Sequence, residues 1–347
     1  MVALGSLRLI GAGGEPVSFA HTISSHGLAL LRPSLPSDDG AYRIALRVED
    51  AVLPVTLRAG DGELMVEASR KPSKRAAEEV LARVRRMFRL DDDLAPFYAI
   101  ARGDVQLDWT TVGAGRLLAS PTVFEDVIKT ICTTNCAWSG TIRMVSALVD
   151  DLGGGAFPSP EQMARAKESW YRDVARSGYR GAYLRDLARS VARRELDLEA
   201  LRPQLGVADD ACEERLLALP GVGPYAAAHA MQLLGRHHRL ILDSWTRPTY
   251  LRLSGKRSAK DATIVRAFKR YGPYAGLAFW LVVTRDWHAT KALPIADHRD
   301  RRGDICLCRI GNGELQAGID VFRHCVQGRA IDNTPERITT NENTGDI

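Results

Sequence analysis

The chain has 347 residues, 45% of them hydrophobic, which is enough to bury a large core and suggests two or more domains. Its formal net charge of +5 suits a polyanionic partner without requiring one. The first twenty residues lack the order of regions found in signal peptides, and no apolar run is long enough to span a bilayer. These properties argue against a secreted or membrane protein and predict a soluble cytoplasmic one.

The cysteines are scattered and include no Cys-x-x-Cys pair. The sequence therefore predicts free thiols in a reducing compartment, and we expect no metal site. A weak metal cluster near the C-terminus is the alternative, which we interpret as unrelated thiols; it would comprise Cys306, Cys308, His324 and Cys325.

Residues 1–72 are predicted to form a small antiparallel β-rich domain. Short β-favouring runs at 27–31, 42–48, 53–57 and 63–68 are separated by turns rich in Gly, Asp and Pro. We expect a scaffold without chemistry here. From Ser73, a good N-cap, the apolar period becomes helical, so residues 73–290 are predicted to be all-α. Residues 291–347 form a polar extension that we expect to be partly disordered.

The stretch at 219–225 reads Leu-Pro-Gly-Val-Gly-Pro-Tyr and joins two predicted helices, at 211–218 and 225–234. Glycines at both ends of the turn expose backbone N–H groups, and the turn lies at a helix N-terminus. Such a hairpin, spanning 211–235, is suited to hold a phosphate. The alternative is a plain helix-helix turn.

An apolar run, Leu-Ile-Leu at 240–242, follows and ends in a single acidic residue, Asp243. This carboxylate is expected to begin a helix at 244–253, where it would act as an N-cap. A catalytic role is compatible with that capping role.

Together, these features resemble the signature of the helix-hairpin-helix DNA glycosylases, in particular the 3-methyladenine glycosylase II and 8-oxoguanine glycosylase branches. The resemblance covers nearly all of residues 104–288 and also extends to the β-rich segment. It implies an α+β protein, with a small antiparallel β-rich N-terminal domain followed by an all-α helix-hairpin-helix body. It further implies that Asp243 is catalytic and that Gly221, Val222 and Gly223 bind DNA.

Two further segments resemble the 8-oxoguanine branch. In the first, at 121–135, Asn135 matches the asparagine that fills the gap left by a flipped base; a helix C-cap is the alternative. In the second, at 177–183, Tyr179 matches a tyrosine that stacks at the DNA kink, and Arg180 matches an arginine that meets the unpaired base. The alternative is a packed aromatic residue beside a solvated arginine.

The chain also departs from that branch. Tyr225 occupies the position of the lysine that makes those enzymes lyases, His229 that of a pocket cysteine, and Phe279 that of a base-reading glutamine. The resemblance therefore implies an aromatic base pocket lined by Tyr225, His229, Trp245 and Phe279. Trp280 is a further candidate, for which we prefer a core position. Without an amine, water is the expected nucleophile.

The predicted function is that of a monofunctional DNA glycosylase of base excision repair, acting on a damaged, alkylated purine. The alternatives are an oxidised-purine glycosylase and a non-catalytic damaged-DNA-binding protein. We expect double-stranded DNA with a damaged base as the partner, a monomer, and a place in the cytoplasm at the nucleoid. No cofactor is expected, and a monovalent cation at the hairpin is left open.

Overall fold

A computed structural model describes residues 1–36 and 39–289. The predicted extension at 291–347 lies outside the described residues, and so does the C-terminal group of thiols with its histidine: Cys306, Cys308, His324 and Cys325.

The N-terminal residues form a five-stranded antiparallel sheet with the strand order β1-β5-β4-β3-β2. Side chains alternate between buried and half-buried along the third strand, as expected for a sheet that packs one face on a core. The strands are β1 (Val2–Arg8), β2 (Ser34–Pro36), β3 (Tyr42–Val48), β4 (Ala51–Gly60) and β5 (Glu63–Ala68).

The predicted strand at 27–31 is wrong. Gly27–Leu30 forms a 3₁₀ helix, and both Leu28 and Leu31 are buried in the core of the helical body. A short apolar run buried on several sides has no alternation that distinguishes a strand from a helical turn. Strand β1 has no counterpart among the predicted strands.

The rest of the described chain is helical. Shorter 3₁₀ and π segments connect some of the helices, and none of the helices described is both long and apolar enough to cross a bilayer. The α-helices are α1 (Phe19–Ile23), α2 (Lys74–Met87), α3 (Ala95–Ala101), α4 (Val123–Thr133), α5 (Trp138–Ala147), α6 (Pro160–Arg165), α7 (Arg180–Ala192), α8 (Asp209–Leu217), α9 (Pro224–Leu233), α10 (Thr246–Leu253), α11 (Asp261–Phe268), α12 (Ala275–Val283) and α13 (Arg285–Ala289).

Local sequence accounts for where the long helices begin. The Ser73 hydroxyl accepts a hydrogen bond from the Ala76 N–H at 3.1 Å, so it caps α2, whose Val80 and Val84 are fully buried. The Thr122 hydroxyl caps α4 in the same way through the Glu125 N–H, at 3.2 Å. These helices therefore start at the positions that their capping residues predict.

The segment between β1 and β2 enters the helical body and joins the sheet to it. The Ser25 carbonyl accepts from the Trp280 indole N–H at 2.9 Å, and the His26 ring lies 2.8 Å from the Leu118 carbonyl oxygen. Glu15 forms a buried ion pair with Arg116. The predicted division at residues 72 and 73 thus separates sheet from helix inside one compact unit. The predicted α+β class is confirmed.

Candidate active site

The hairpin at 219–223 joins α8 to α9. Gly221 has φ +81°, and a Cβ at this position would lie 2.7 Å from the Tyr183 ring. Both the backbone conformation and the close approach therefore require glycine. Gly223 has an ordinary φ of −100° and faces open space.

The hairpin presents backbone donors at the start of α9. Within the described residues, the N–H groups of Gly221, Gly223 and Tyr225 have no hydrogen-bond acceptor. Val222 differs, since its side chain is buried and its N–H donates to the Leu219 carbonyl at 3.2 Å. Val222 anchors the turn, while the two glycines and the helix start offer an anion site.

Asp243 lies between the apolar run and α10. Its Oδ1 accepts from the N–H groups of Trp245 at 2.8 Å and Thr246 at 2.6 Å, while its own N–H donates to the Thr246 hydroxyl at 2.9 Å. This is the reciprocal arrangement of a helix cap. In the described part of the chain Oδ2 has no hydrogen-bond partner, so a half-buried carboxylate is held by one oxygen and leaves the other available.

Tyr225, in the first turn of α9, is also half-buried. Its hydroxyl lies 3.2 Å from the Thr133 hydroxyl at the end of α4. Burial raises the pKa of the Tyr225 phenol, and the negative charge of Asp243 adds to the increase.

A chain of ring contacts extends from Tyr225 towards the end of the described residues. The Tyr225 and His229 ring centroids are 6.0 Å apart, those of His229 and Trp280 6.2 Å, and those of Trp280 and Trp245 6.3 Å. Trp287 lies 4.9 Å from Trp245 at an interplanar angle of 34°. We call this set the aromatic cage: Tyr225, His229, Trp245, Trp280 and Trp287.

Two buried histidines meet at the base of the aromatic cage. The His26 and His229 ring centroids are 5.9 Å apart in a T-shaped arrangement. Burial lowers the pKa of His26 to about 4 and that of His229 to about 3, so both rings are neutral near pH 7. His26 donates through Nε2 to the Leu118 carbonyl; its Nδ1 and both nitrogens of His229 are buried without a partner in the described residues.

Phe279 does not belong to the aromatic cage. It is fully buried, and its ring lies 5.2 Å from Phe268 and 6.2 Å from Tyr250 in the hydrophobic core. Successive residues of a helix point about 100° apart. In this structure Phe279 therefore faces the hydrophobic core, and its neighbour Trp280 contacts the rings of the cage.

Asn135 and Tyr179 lie together at the surface. Asn135 is exposed in the turn after α4, with φ +45°, a conformation that asparagine tolerates better than most residues. Its side-chain amide donates to the Tyr179 hydroxyl at 3.2 Å, and Tyr179 is 53% exposed. The two residues that matched separate motifs are thus direct neighbours.

Arg180 is buried, with 6% of its surface exposed. Its guanidinium donates to the Thr134 carbonyl oxygen, to the Thr134 hydroxyl at 3.3 Å and to the Ser177 carbonyl at 3.5 Å. The same guanidinium lies 4.5 Å from the centre of the Tyr179 ring. The burial of Arg180 contradicts the alternative of a solvated arginine, and three of its N–H groups donate within the protein; the predicted contact with an unpaired base stays a prediction.

Tyr183 links these residues to the hairpin. Its ring lies 5.9 Å from that of Tyr179 and fills the space over Gly221. We call the connected set the rim: Asn135, Tyr179, Arg180, Tyr183 and Gly221. Sequence reasoning assigned no role to Tyr183, although the spacing of Tyr179 and Tyr183 by one helical turn places them on one face of α7.

Two side chains of α8 and one from the segment after α9 have spacing suited to a metal, although no metal site was predicted. Within the described residues, Asp210, Glu213 and His238 each offer one ligand atom, all within 4.8 Å of one another. Glu213 also pairs with Arg239 at 2.7 Å. The described cysteines are Cys132, Cys136 and Cys212, all free thiols, of which two are buried.

Comparison with known proteins assigns the fold. No protein-family model matches the chain. Among solved structures, a 3-methyladenine DNA-glycosylase from Archaeoglobus fulgidus aligns with a TM-score of 0.62 at 19% identity, covering 81% of this chain and 98% of that one. The fold is that of the helix-hairpin-helix DNA glycosylases. An 8-oxoguanine glycosylase/lyase from Clostridium acetobutylicum, in complex with DNA, shares the glycosylase fold with a TM-score of 0.60 at 18% identity, covering 79% and 91%.

At the level of sequence, a DNA-3-methyladenine glycosylase from Bacillus subtilis (strain 168) is 26% identical over 165 residues. The match covers 44% of this chain and 54% of the relative, so the chain spans about half of the length of that curated glycosylase.

Proposed function

We propose that the protein is a monofunctional DNA glycosylase that hydrolyses the N-glycosidic bond of an alkylated purine in double-stranded DNA. The observation that carries this proposal is Asp243, a carboxylate with one oxygen fixed by two backbone N–H groups and the other available beside the aromatic cage. The glycosylase fold and the similarity to a DNA-3-methyladenine glycosylase support it.

The bond to be broken is inaccessible inside a duplex, so the nucleotide must be rotated out at a cost of a few kcal/mol. The free N–H groups at Gly221 and Gly223 suit a DNA phosphate. Asn135 is placed to enter the gap, and the exposed ring of Tyr179 offers a surface on which a base can stack, worth about 1–3 kcal/mol.

When the glycosidic bond breaks, positive charge develops on the sugar. A carboxylate held rigidly beside it stabilises that charge and orients or deprotonates a water molecule. The two N–H groups on Oδ1 of Asp243 fix the direction of Oδ2. Helix α9 contains no lysine to attack the sugar, so water is the nucleophile and no lyase step follows.

The composition of the aromatic cage favours alkylated purines. Such bases carry positive charge on the ring, and cation–π attraction to Trp or Tyr is worth about 0.5–2 kcal/mol. The low pKa of His229 keeps its ring neutral, so it does not repel a cation. The reaction uses no cofactor; a monovalent cation at the hairpin, a monomeric state and action at the nucleoid belong to the same proposal.

An oxidised purine is the second candidate substrate. The unpartnered ring nitrogens of His26 and His229 suit a neutral lesion that offers hydrogen-bonding groups, and an 8-oxoguanine glycosylase/lyase shares the fold. A protein that binds damaged DNA without cleaving it would have no need for Asp243.

The test is product analysis with methylated duplex DNA. We expect free methylpurine, with strand breaks only after hot alkali, and no release by Asp243→Asn. Breaks before alkali would show a lyase and contradict the monofunctional mechanism. Release of 8-oxoguanine, with no release of methylpurine, would favour the second candidate.

A further inference from the structure

The hydrogen bonds of Arg180 are made within the protein, and a role in contacting a base does not explain them. Its side chain is buried, and its donors reach the Thr134 carbonyl, the Thr134 hydroxyl and the Ser177 carbonyl. Thr134 is the C-terminal cap of α4 and directly precedes Asn135. A guanidinium at a helix C-terminus is favoured by the helix dipole as well as by charge-assisted hydrogen bonds.

The other face of the guanidinium supports Tyr179. Its carbon lies 4.5 Å from the centre of the Tyr179 ring, so one cation contacts the base of the Asn135 turn and the ring of the exposed tyrosine. The Asn135 amide donates to the Tyr179 hydroxyl, so Asn135, Tyr179 and Arg180 form one connected group. Only 6% of the Arg180 surface is exposed, so a base could reach the remaining N–H groups of the guanidinium only if the side chain left this site, which would leave the Thr134 carbonyl unpaired at a cost in free energy.

The side chains that remain exposed at the rim carry little information about base identity. The Asn135 amide has both donors and an acceptor, so it can hydrogen-bond to more than one base, and one of its N–H groups is already used by the Tyr179 hydroxyl. The Tyr179 ring stacks on any base, because every base has a π face. The guanidinium of Arg180, the group of the rim that could read a guanine, is held by Thr134 and Ser177.

Building on the proposed function, we propose that Arg180 is a positioning residue, which joins the Asn135 turn to Tyr179. A consequence is that the protein does not discriminate between the bases opposite a lesion. Arg180 acts through Thr134 and Tyr179 and does not touch the DNA.

The test measures the affinity of the full chain for duplexes that contain a tetrahydrofuran abasic-site analogue opposite A, C, G or T. We expect the four dissociation constants to agree within about threefold. Arg180→Met should weaken binding to all four duplexes by the same factor, about tenfold, and Arg180→Lys should recover part of the loss. A preference for one opposite base above tenfold, abolished in Arg180→Met, would overturn the proposal.

A double-mutant cycle with Thr134 separates positioning from simple folding. Thr134→Val removes the hydroxyl that Arg180 contacts, and Thr134→Ser keeps it. If Arg180 acts through Thr134, Thr134→Val should weaken binding while Thr134→Ser does not, and Thr134→Val should add little to Arg180→Met. Fully additive losses would contradict the proposal. Because binding needs no chemistry, a failure to release bases would contradict the proposed function and leave this test intact.

Discussion

The rim and the aromatic cage differ in how they use buried polar groups. In the rim, the buried guanidinium of Arg180 is hydrogen-bonded to its own chain. In and beneath the cage, three ring nitrogens, on His26 and His229, have no partner among the described residues. An unpaired buried polar atom costs free energy, so the cage retains hydrogen-bonding groups that a ligand could satisfy, whereas the polar contacts of the rim are already made. Under the proposed function, the difference separates recognising the base from opening the DNA.

The largest effect is expected from a substitution at Asp243, which lies beside the aromatic cage and outside the rim. Asparagine can replace its capping hydrogen bonds, so Asp243→Asn should fold normally. We expect single-turnover base release to fall by about a thousandfold or more, corresponding to about 4 kcal/mol. The affinity for an abasic duplex, measured by gel shift, should stay within about twofold.

The matched control is Asp261→Asn, which removes an exposed carboxylate that pairs with Arg247 and leaves the cage intact. It should release bases at the wild-type rate. If Asp243→Asn lost DNA affinity as strongly as activity, the proposed separation between rim and cage would be wrong.

The two buried histidines His26 and His229 predict a second effect, which is on the stability of the fold. Their pKa values are about 4 and about 3 in the folded chain, below the ordinary value of 6.5, so the unfolded state binds more protons in acid. The stability that these two neutral histidines contribute is therefore fully present above pH 6.5 and is lost as the pH falls towards 4. Between pH 6.5 and 5, the two groups together should lower the free energy of unfolding by about 3 kcal/mol.

Urea unfolding at several pH values measures this loss. His229→Gln should reduce the total loss between pH 6.5 and 5 by about 1.5 kcal/mol, because His229 no longer titrates, while His26 and the fully buried His237, whose pKa burial lowers to about 3, still do. An unchanged pH dependence in this variant would show that His229 is accessible to protons in the folded protein.

The two hairpin glycines allow a matched comparison at the rim. Gly221→Ala places a Cβ against Tyr183 at a φ of +81°, and the backbone strain alone costs about 1–2 kcal/mol. Gly223→Ala meets open space at an ordinary φ, so its effect on unfolding should stay within about 0.5 kcal/mol. Thermal unfolding checks the pair, and equal losses would show that the contact with Tyr183 is not maintained.

The smallest effect is expected from Tyr179→Phe. This change keeps the stacking ring and removes the hydroxyl that accepts from the Asn135 amide. One such hydrogen bond is worth about 0.5–1.5 kcal/mol, so affinity for an abasic duplex should fall about two- to tenfold. Tyr183→Phe serves as the control. An unchanged affinity in Tyr179→Phe would show that Asn135 is held by its own backbone.

The sequence predicted the features that depend on local chemistry. Gly221 follows from a turn that needs a positive φ, and the position of Asp243 follows from an apolar run that ends at a cap. Ser73 marks the start of α2 for the same reason. Each of these inferences depends on a few neighbouring residues.

The features that the sequence missed depend on distant contacts. All nine residues of α12 are buried, so no polar face shows which of Phe279 and Trp280 points into the cage. His26 lies about two hundred positions before His229, and no local pattern brings the two together. The motif matches an arginine at position 180, but it does not show whether the guanidinium N–H groups face solvent or donate to the Thr134 carbonyl.

The cage also places three of the six tryptophans, Trp245, Trp280 and Trp287, within 6.3 Å of one another. Indole emission depends strongly on contact with neighbouring rings, and the other three tryptophans lie outside this cluster. A base that enters the cage would therefore change the intrinsic fluorescence of the protein. If the proposed function holds, this cluster is a built-in optical reporter of base entry, which needs no label on either the chain or the DNA.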